Sequence, residues 1–380
     1  MRFSVDAHTI GCHLTGNEVY IRNLLNEFAR LDQQAEFVAY YAKREAPAQI
    51  PARFERRRVS ENPYRRLGFD LPAAVKQDRP DLLHVQYTAP LSVSTKLVAT
   101  VHDVSYLEHP QYFPLFRRNQ LRLTVANTVK RADAVLTPSE FSRKSILKHY
   151  RIPENRVHVV PNAVSSEFRP IDRSVAQRHL EQHFGVSGPY VLTVGDLQPR
   201  KNHLGLLAAF EEVIRAHPQL PHKLVFVGKE TWYAPVVHAA IRKSAIADRV
   251  IVTGFIEDPD LVHFYAGADL FVFPSFYEGF GLPILEAMAC GRAVACSNAT
   301  AMPEVANACG ILFDPNSHGE MTRAIRDVLI DAELRAKLER LGSGRATLFS
   351  WEAAAQKTLD VYYAVAGVKR PVQQSVPVAV

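Results

Sequence analysis

The chain has 380 residues, of which 47% are hydrophobic and 22% charged, and no run of 18 or more apolar residues occurs in it. Disordered polymers, fibres and membrane-spanning helix bundles are thereby excluded, and at about 100–200 residues per domain the length fits two domains. The net charge of +6 is unevenly laid out: Lys and Arg exceed Asp and Glu by 8 over residues 1–165, fall 3 short over 166–350 and exceed them by 1 beyond.

The opening Met1-Arg2-Phe3-Ser4-Val5-Asp6 places an acid where a signal peptide needs an apolar core, which predicts a cytoplasmic protein. Phe3–Asp6 reads as a strand, and Glu18–Leu31 as an amphipathic helix with Tyr20, Ile21, Leu24, Leu25 and Phe28 on one face. Further strands are predicted at Glu36–Tyr40, Leu82–Gln86, Leu97–Val101 and Ala134–Thr137, with helical patterns between them. That alternation predicts a parallel sheet covered by helices on both faces. The same half carries the basic surplus, densest at Arg53, Arg56, Arg57, Arg58, Arg65 and Arg66 and, on predicted helices, at Arg117, Arg118, Arg122, Lys130 and Arg131. Three readings compete: a solvated surface, attraction to anionic lipid or an anionic acceptor, and nucleic acid, which ranks last because no recognition motif accompanies the charges.

After Pro161 the pattern loosens through Asn162–Pro170, which sets the domain boundary between residues 165 and 166. Strands are then predicted at Tyr190–Val194, Lys223–Val227, Val250–Thr253, Leu270–Phe273, Ala293–Ala295 and Ile311–Phe313, giving a second open α/β domain over 166–350. Ser350 is placed to N-cap a final helix over 351–366, and residues 367–380 read as a loose tail. Cys12, Cys290, Cys296 and Cys309 form no CxxC pair and read as small buried thiols in a reducing compartment.

The most informative segment runs from Pro274 to Gly291. It leaves a predicted strand, turns through Gly279 and Gly281 and enters a helix with Pro283 in its first turn, so open backbone amides lead into a helix N-terminus suited to an anion or a polar sugar. Glu278 and Glu286 lie eight residues apart; a carboxylate accepts two hydrogen bonds at once and suits a vicinal diol. Gly279-Phe280-Gly281 is not a dinucleotide loop, because Ile284 stands in the third glycine's place. Arg200 and Lys201 follow one strand, and His102 follows another, at the sheet edge where ligands bind in such folds. Asp258-Pro259-Asp260 is a D-x-D triplet, but Asp260 before Leu261–Tyr265 reads as an N-cap, and no other cluster suggests a metal.

The stretch Glu278-Gly279-Phe280-Gly281-Leu282-Pro283 through Glu286 resembles the E-x7-E signature of retaining glycosyltransferase family 4, and the resemblance extends to Val194–Asn202, Val101-His102-Asp103 and Leu14-Thr15-Gly16. It implies the GT-B fold, two Rossmann-like doubly wound domains facing across a cleft, with the last helix crossing back to the N-terminal domain. The activity implied is transfer of a hexose from a nucleoside diphosphate sugar to an acceptor hydroxyl with retention, and without a metal. It places Arg200 and Lys201 on the diphosphate and Glu286 on the ribose. Ile256 is placed near the base, and Glu278 with the backbone of Phe280, Gly281 and Leu282 on the sugar. His102 would position and polarise the reacting groups with Asp103 orienting it, and Gly16, in the loop after the first strand, would let a backbone amide approach the donor. Asp196 stands where many members carry an arginine, which leaves the role of that position open. The turn Pro199–Asn202 and Val101-His102-Asp103 resemble mannosyltransferase-like members of polysaccharide or cell-envelope assembly, leaning toward GDP-mannose. The acceptor would be a glycan or a lipid-linked molecule held by the basic N-terminal domain, with an anionic membrane surface as its setting and no nucleic acid partner. Reversing Arg56, Arg57 and Arg58 is then expected to weaken binding to anionic vesicles. Two alternatives remain: another sugar-nucleotide enzyme, such as an epimerase or a phosphorylase-like transferase, and a module that binds nucleotide sugar without turnover.

Overall fold

The computed structural model describes residues 1–12 and 15–371; Leu14 and residues 372–380 of the expected loose tail lie outside the described residues. The chain divides into two compact units, one formed by Met1–Asn162 together with the chain from Ser350, the other by Ala163–Phe349.

The first unit holds a seven-stranded sheet of β1 Arg2–Asp6, β2 Glu36–Tyr41, β3 Glu55–Arg58, β4 Leu82–Gln86, β5 Lys96–Thr100, β6 Ala134–Thr137 and β7 Val157–Val159. Its order is β3-β2-β1-β4-β5-β6-β7, and every ladder is parallel. Strands β4 and β6 are buried along their whole length, as a sheet with helices on both faces requires. Helix α1, Thr15–Leu31, buries Tyr20, Ile21, Leu24, Leu25 and Phe28, the apolar face read from its 3.6-residue period. Helix α2, Leu115–Arg131, buries little beyond Val125, Thr128 and Val129. The C-terminal helix Trp351–Val365 starts where Ser350 accepts from the Ala353 amide and packs on this unit. There Tyr362 lies edge-on to Phe3 and against Phe28, and the Tyr363 hydroxyl donates to Asp32.

Two strands have no counterpart in the sequence reading, β3 and β7, and both are sheet edges that make a single ladder. β3 is Glu-Arg-Arg-Arg, exposed throughout, a charged edge that resists pairing with other chains. Part of the densest basic run is therefore structural. Arg53 donates to the Ala29, Asp32 and Ala35 carbonyls, Arg56 to the Ile50 carbonyl, and Arg57 pairs with Glu55 and Asp78.

The second unit begins with helix α3, Arg173–Phe184, capped by Asp172. Its six-stranded parallel sheet comprises β8 Tyr190–Val194, β9 Lys223–Val227, β10 Val250–Gly254, β11 Leu270–Phe273, β12 Val294–Ser297 and β13 Ile311–Phe313, in the order β10-β9-β8-β11-β12-β13. Two buried clusters cover its faces, one around Leu192, Phe264, Phe271 and Leu285, the other around Val191, Phe210, Phe226 and Ile325. Of the four cysteines expected to be buried, Cys290 and Cys296 are, whereas Cys12 and Cys309 are only partly so. Strand order reverses between β8 and β11 here and between β1 and β4 in the first unit, and such switch points are where ligands bind in open α/β sheets. The remaining helices that position the site are α4 His203–Ala216, α5 Asp258–Gly267 and α6 Leu282–Ala289. The sequence reading of Asp260 as an N-cap is corrected. Helix α5 begins at Asp258 after Glu257, and the Asp260 carboxylate instead accepts from His179 Nε2 on α3 at 2.8 Å. The cap failed because the Pro259 turn starts the helix two residues earlier than the apolar run suggests.

Candidate functional site

In the second unit Arg200, Lys201 and Glu278 meet at the β8/β11 switch point. Arg200 and Lys201 end a short turn after β8 that closes on Asn202, which takes a left-handed conformation (φ 55°), caps α4 through the Gly205 amide and donates to the Pro315 carbonyl. Glu278 follows β11. Its Oε1 receives both Arg200 Nη1 and Lys201 Nζ at 2.7 Å, and its amide donates to Thr300 Oγ1 at 3.1 Å. Arg200 also donates to the Tyr277 carbonyl, the Phe276 amide donates to the Arg200 carbonyl, and Lys201 sits over the Phe273 ring at 4.7 Å. Two chain segments 78 residues apart are thus fastened by backbone and side chain alike.

Burial alone would raise the proton affinity of Glu278, but Arg200 and Lys201 outweigh it and hold the carboxyl at about 2. On Lys201 burial is the larger influence and pulls the ammonium below its ordinary value against the attraction of Glu278, because the neighbouring Arg200 charge also counts against it. The result is a buried carboxylate with two cations on one oxygen. An incoming diphosphate can compete for those cations, and an incoming sugar hydroxyl can donate to the carboxylate.

From Glu278 the chain passes through Gly279 and Phe280 to Gly281, whose φ of 103° only glycine adopts freely, and then starts α6 with Pro283 in its first turn. The Ile284 amide donates to the Gly281 carbonyl at 3.0 Å, closing the turn into α6. Glu286, one turn into α6, behaves oppositely to Glu278. Burial, with Asp258 nearby, pushes its carboxyl up to about 7, against the Tyr265 hydroxyl, which donates to Oε2 at 2.6 Å. Ile256 follows β10 and packs half-buried against the same core.

Backbone close approach shapes this rim, and the sequence reading missed it. The Gly195 amide donates to the Val227 carbonyl and the Gly228 amide to the Gly254 carbonyl, so the ends of β8, β9 and β10 are stitched together. A Cβ on Gly228 would lie 2.2 Å from the Gly195 carbonyl oxygen, and one on Gly195 would press on the Lys201 side chain at 3.1 Å. The open question at Asp196 has a structural answer: its carboxylate accepts from the Lys229 amide, fastening the β8 and β9 loops. Tyr265 was missed as well, since an aromatic inside an apolar helix carries no sign that its hydroxyl serves Glu286.

In the first unit His102 follows β5. Its Nε2–H donates to Gln86 Oε1 at 2.9 Å, and the Gln86 amide group is oriented by a bond to Thr9. The lone pair therefore falls on Nδ1. Tyr20 from α1 packs edge-on against the ring with centroids 4.8 Å apart, and burial lowers the imidazole to about 4, so it is neutral near pH 7. The expected orienter, Asp103, is corrected to Gln86: the Asp103 carboxylate turns away to accept from the Ser105 amide and hydroxyl, where it starts the short helix Ser105–Glu108. Gly16 is also corrected. It lies not in a loop but in the first turn of α1, exposed, with open space where a side chain would be.

Residues 14–168 match Glycosyltransferase Family 4, and residues 178–344 match Glycosyl transferases group 1. The chain is 33% identical over 267 residues to the O-antigen chain mannosyltransferase B of Escherichia coli, covering 70% of each protein. It is 28% identical over 304 residues to the Escherichia coli serotype-specific mannosyltransferase WbdA, of whose length the match spans only 37%. Among solved structures it resembles a sucrose-phosphate synthase from Thermosynechococcus elongatus, with a TM-score of 0.79 at 20% identity over 96% of this chain and 99% of that one. It also resembles the Anabaena protein HepE in complex with UDP and glucose, with a TM-score of 0.74 at 20% identity over 96% and 99%. The two parallel-sheet, Rossmann-like units are those of the GT-B fold. Two matched halves and a relative covered over 70% of its length lead to one conclusion: the chain belongs to glycosyltransferase family 4 and is a glycosyltransferase.

Proposed function

We propose that the protein transfers a hexose, with mannose favoured, from a nucleoside diphosphate sugar to an acceptor hydroxyl with retention of configuration, in the assembly of a polysaccharide, glycolipid or cell-envelope glycan. The observation that carries this reading is the convergence of Arg200 and Lys201 on one buried oxygen of Glu278 at the β8/β11 switch point. Two fixed cations there stabilise the charge that grows on a departing diphosphate, more in the transition state than before it, and so take the part a divalent metal plays elsewhere. The diphosphate would sit on Arg200 and Lys201 and the ribose diol on Glu286. The base would lie near Ile256, and the sugar on Glu278 and the backbone of Phe280, Gly281 and Leu282. The bond from the anomeric carbon to the diphosphate oxygen breaks while the acceptor oxygen bonds to the same face, and the acceptor's proton passes to the leaving phosphate oxygen. His102, neutral and held by Gln86, positions the reacting groups, and Gly16 leaves room beside them. The mannose preference rests on relatives named as mannosyltransferases.

Acceptor and membrane belong to the first unit in this reading. Leu115, Phe116 and Leu123 on α2 are each 68–73% exposed, and the same helix carries Arg117, Arg118 and Arg122, a mixture of apolar and basic residues suited to an anionic lipid surface.

The test is a thermal-shift screen of GDP-, UDP- and dTDP-sugars followed by transfer to mannoside and lipid-linked acceptors in EDTA. We expect stabilisation by one nucleotide class and transfer undiminished by EDTA, with kcat lowered about 10²–10³-fold in Lys201→Ala. Binding without transfer to any acceptor would favour the binding-module reading, and full activity in both Lys201→Ala and Glu278→Ala would overturn the site.

A further inference from the structure

Away from the donor site, α3 and α5 bring together four groups that no step of the transfer uses. His179 and His183 are four residues apart on α3, and Asp260 and His263 three apart on α5, spacings that set each pair on one helical face. Ligand atoms of His179, Asp260 and His263 all lie within 4.8 Å of one another, and all three side chains are partly open to solvent. The His179 ring stacks on His263 at 4.0 Å and on His183 at 4.3 Å between centroids.

We propose that His179, Asp260 and His263 form a binding site for a divalent transition-metal ion of the zinc class, clamping α3 to α5. Two imidazoles and a carboxylate favour zinc, nickel or copper over magnesium or calcium, which prefer all-oxygen sites. Orientation supports the assignment. His263 Nδ1–H donates to the Pro259 carbonyl at 3.2 Å, which leaves the lone pair on Nε2 as the ligand atom, as metal-binding histidines are commonly held by a backbone carbonyl. Ligands about 2.0–2.1 Å from one zinc ion sit roughly 3.3 Å apart, so capture closes the trio by an ångström or so, within reach of χ2 rotation in partly exposed rings. Ligation through His179 Nε2 then replaces its hydrogen bond to Asp260, with the ring proton carried on Nδ1. Helix α5 carries Tyr265 toward Glu286 on its other side, so the trio itself takes no part in the donor site.

The experiment uses the full chain, free of affinity tag and stripped with EDTA, titrated with Zn²⁺ by calorimetry and equilibrium dialysis, with Mg²⁺ and Ca²⁺ as controls. We expect one equivalent of Zn²⁺ bound and a raised Tm, no response to Mg²⁺ or Ca²⁺, and affinity lowered at least about tenfold in His263→Gln and in Asp260→Asn. Co²⁺ substitution, read by its visible absorption, reports the same trio if either variant folds poorly. Absence of saturable Zn²⁺ binding, or stoichiometric binding unchanged in His179→Ala and His263→Gln, overturns the proposal. The donor reading is decided separately by the transfer assay.

Discussion

Glu278 and Glu286 are one motif in sequence and two chemical species in the fold. The cations beside Glu278 keep it ionised, whereas Glu286 is buried with only a hydroxyl donor and rises to about 7. Because its folded value lies above the ordinary 4.5, the contribution of Glu286 to stability is fully present below about pH 4.5 and is lost as pH rises through 7. Glu286→Gln should therefore raise Tm at pH 8 and leave it nearly unchanged at pH 4.5, the gain bounded by about 3 kcal/mol. The same variant should weaken donor binding, since the amide offers one acceptor oxygen where the carboxylate offers two. A pH series of melting curves checks this, and an unchanged Tm at pH 8 would count against a buried, strained carboxyl. His102 has the opposite sign. Its folded value near 4 lies below 6.5, so its contribution is present above pH 6.5 and fades as pH falls toward 4, leaving no inflection from this ring in the transfer rate between pH 7 and 9. The position of His102 was legible from its motif, but its orientation was not. Asp103 is its neighbour in sequence, and Gln86 its neighbour in space.

Among elements, the largely buried central strands were legible because apolar runs bounded by turn residues have few other uses, and β4, β6, β8, β9 and β11 match their predicted limits. Edge strands β3 and β7 were not, because a strand with one partner tolerates charge and shortness. The glycines at the ends of β8 and β9 show a further limit: they read as loop residues, yet they set how closely neighbouring strand ends approach. Gly228→Ala drives a methyl group against the Gly195 carbonyl at 2.2 Å, and the strand ends must part. We expect a loss of about 1–3 kcal/mol or more and a fall in donor affinity with it, because Gly195 adjoins the Lys201 side chain. Chemical denaturation and a donor titration measure the two effects; a variant as stable as the parent would show that the loops move apart freely. Gly16→Ala, into open space, should leave stability within about 0.5 kcal/mol.

At the scale of the molecule, charge divides with the units. Lys and Arg exceed Asp and Glu by 9 in the unit that includes residues 1–162 and 350–380 and fall 3 short in the other. No described helix is long and apolar enough to cross a membrane, so any attachment through the described helices must be peripheral. Arg117 and Arg122 on α2 are exposed, whereas Arg56 and Arg57 on β3 are engaged in the fold. Replacing Arg117, Arg118 and Arg122 together by Glu should lower partition onto phosphatidylglycerol vesicles by two orders of magnitude or more, at about 1 kcal/mol per charge removed, with donor affinity unchanged. Cosedimentation measures it, and equal partition of parent and variant would remove α2 from the proposal. What the sequence determined by itself was the alternation of strand and helix, the two-domain organisation of a family-4 glycosyltransferase and the residue types at its donor motif, because periodicity, turn chemistry and motif spacing are local. Only the tertiary structure decided which polar groups meet: Arg200 and Glu278 across 78 residues, His179 and Asp260 across 81, Tyr265 and Glu286 within one core. Proton affinity, orientation and pairing depend on burial and on neighbours brought from elsewhere in the chain, and no local pattern encodes either.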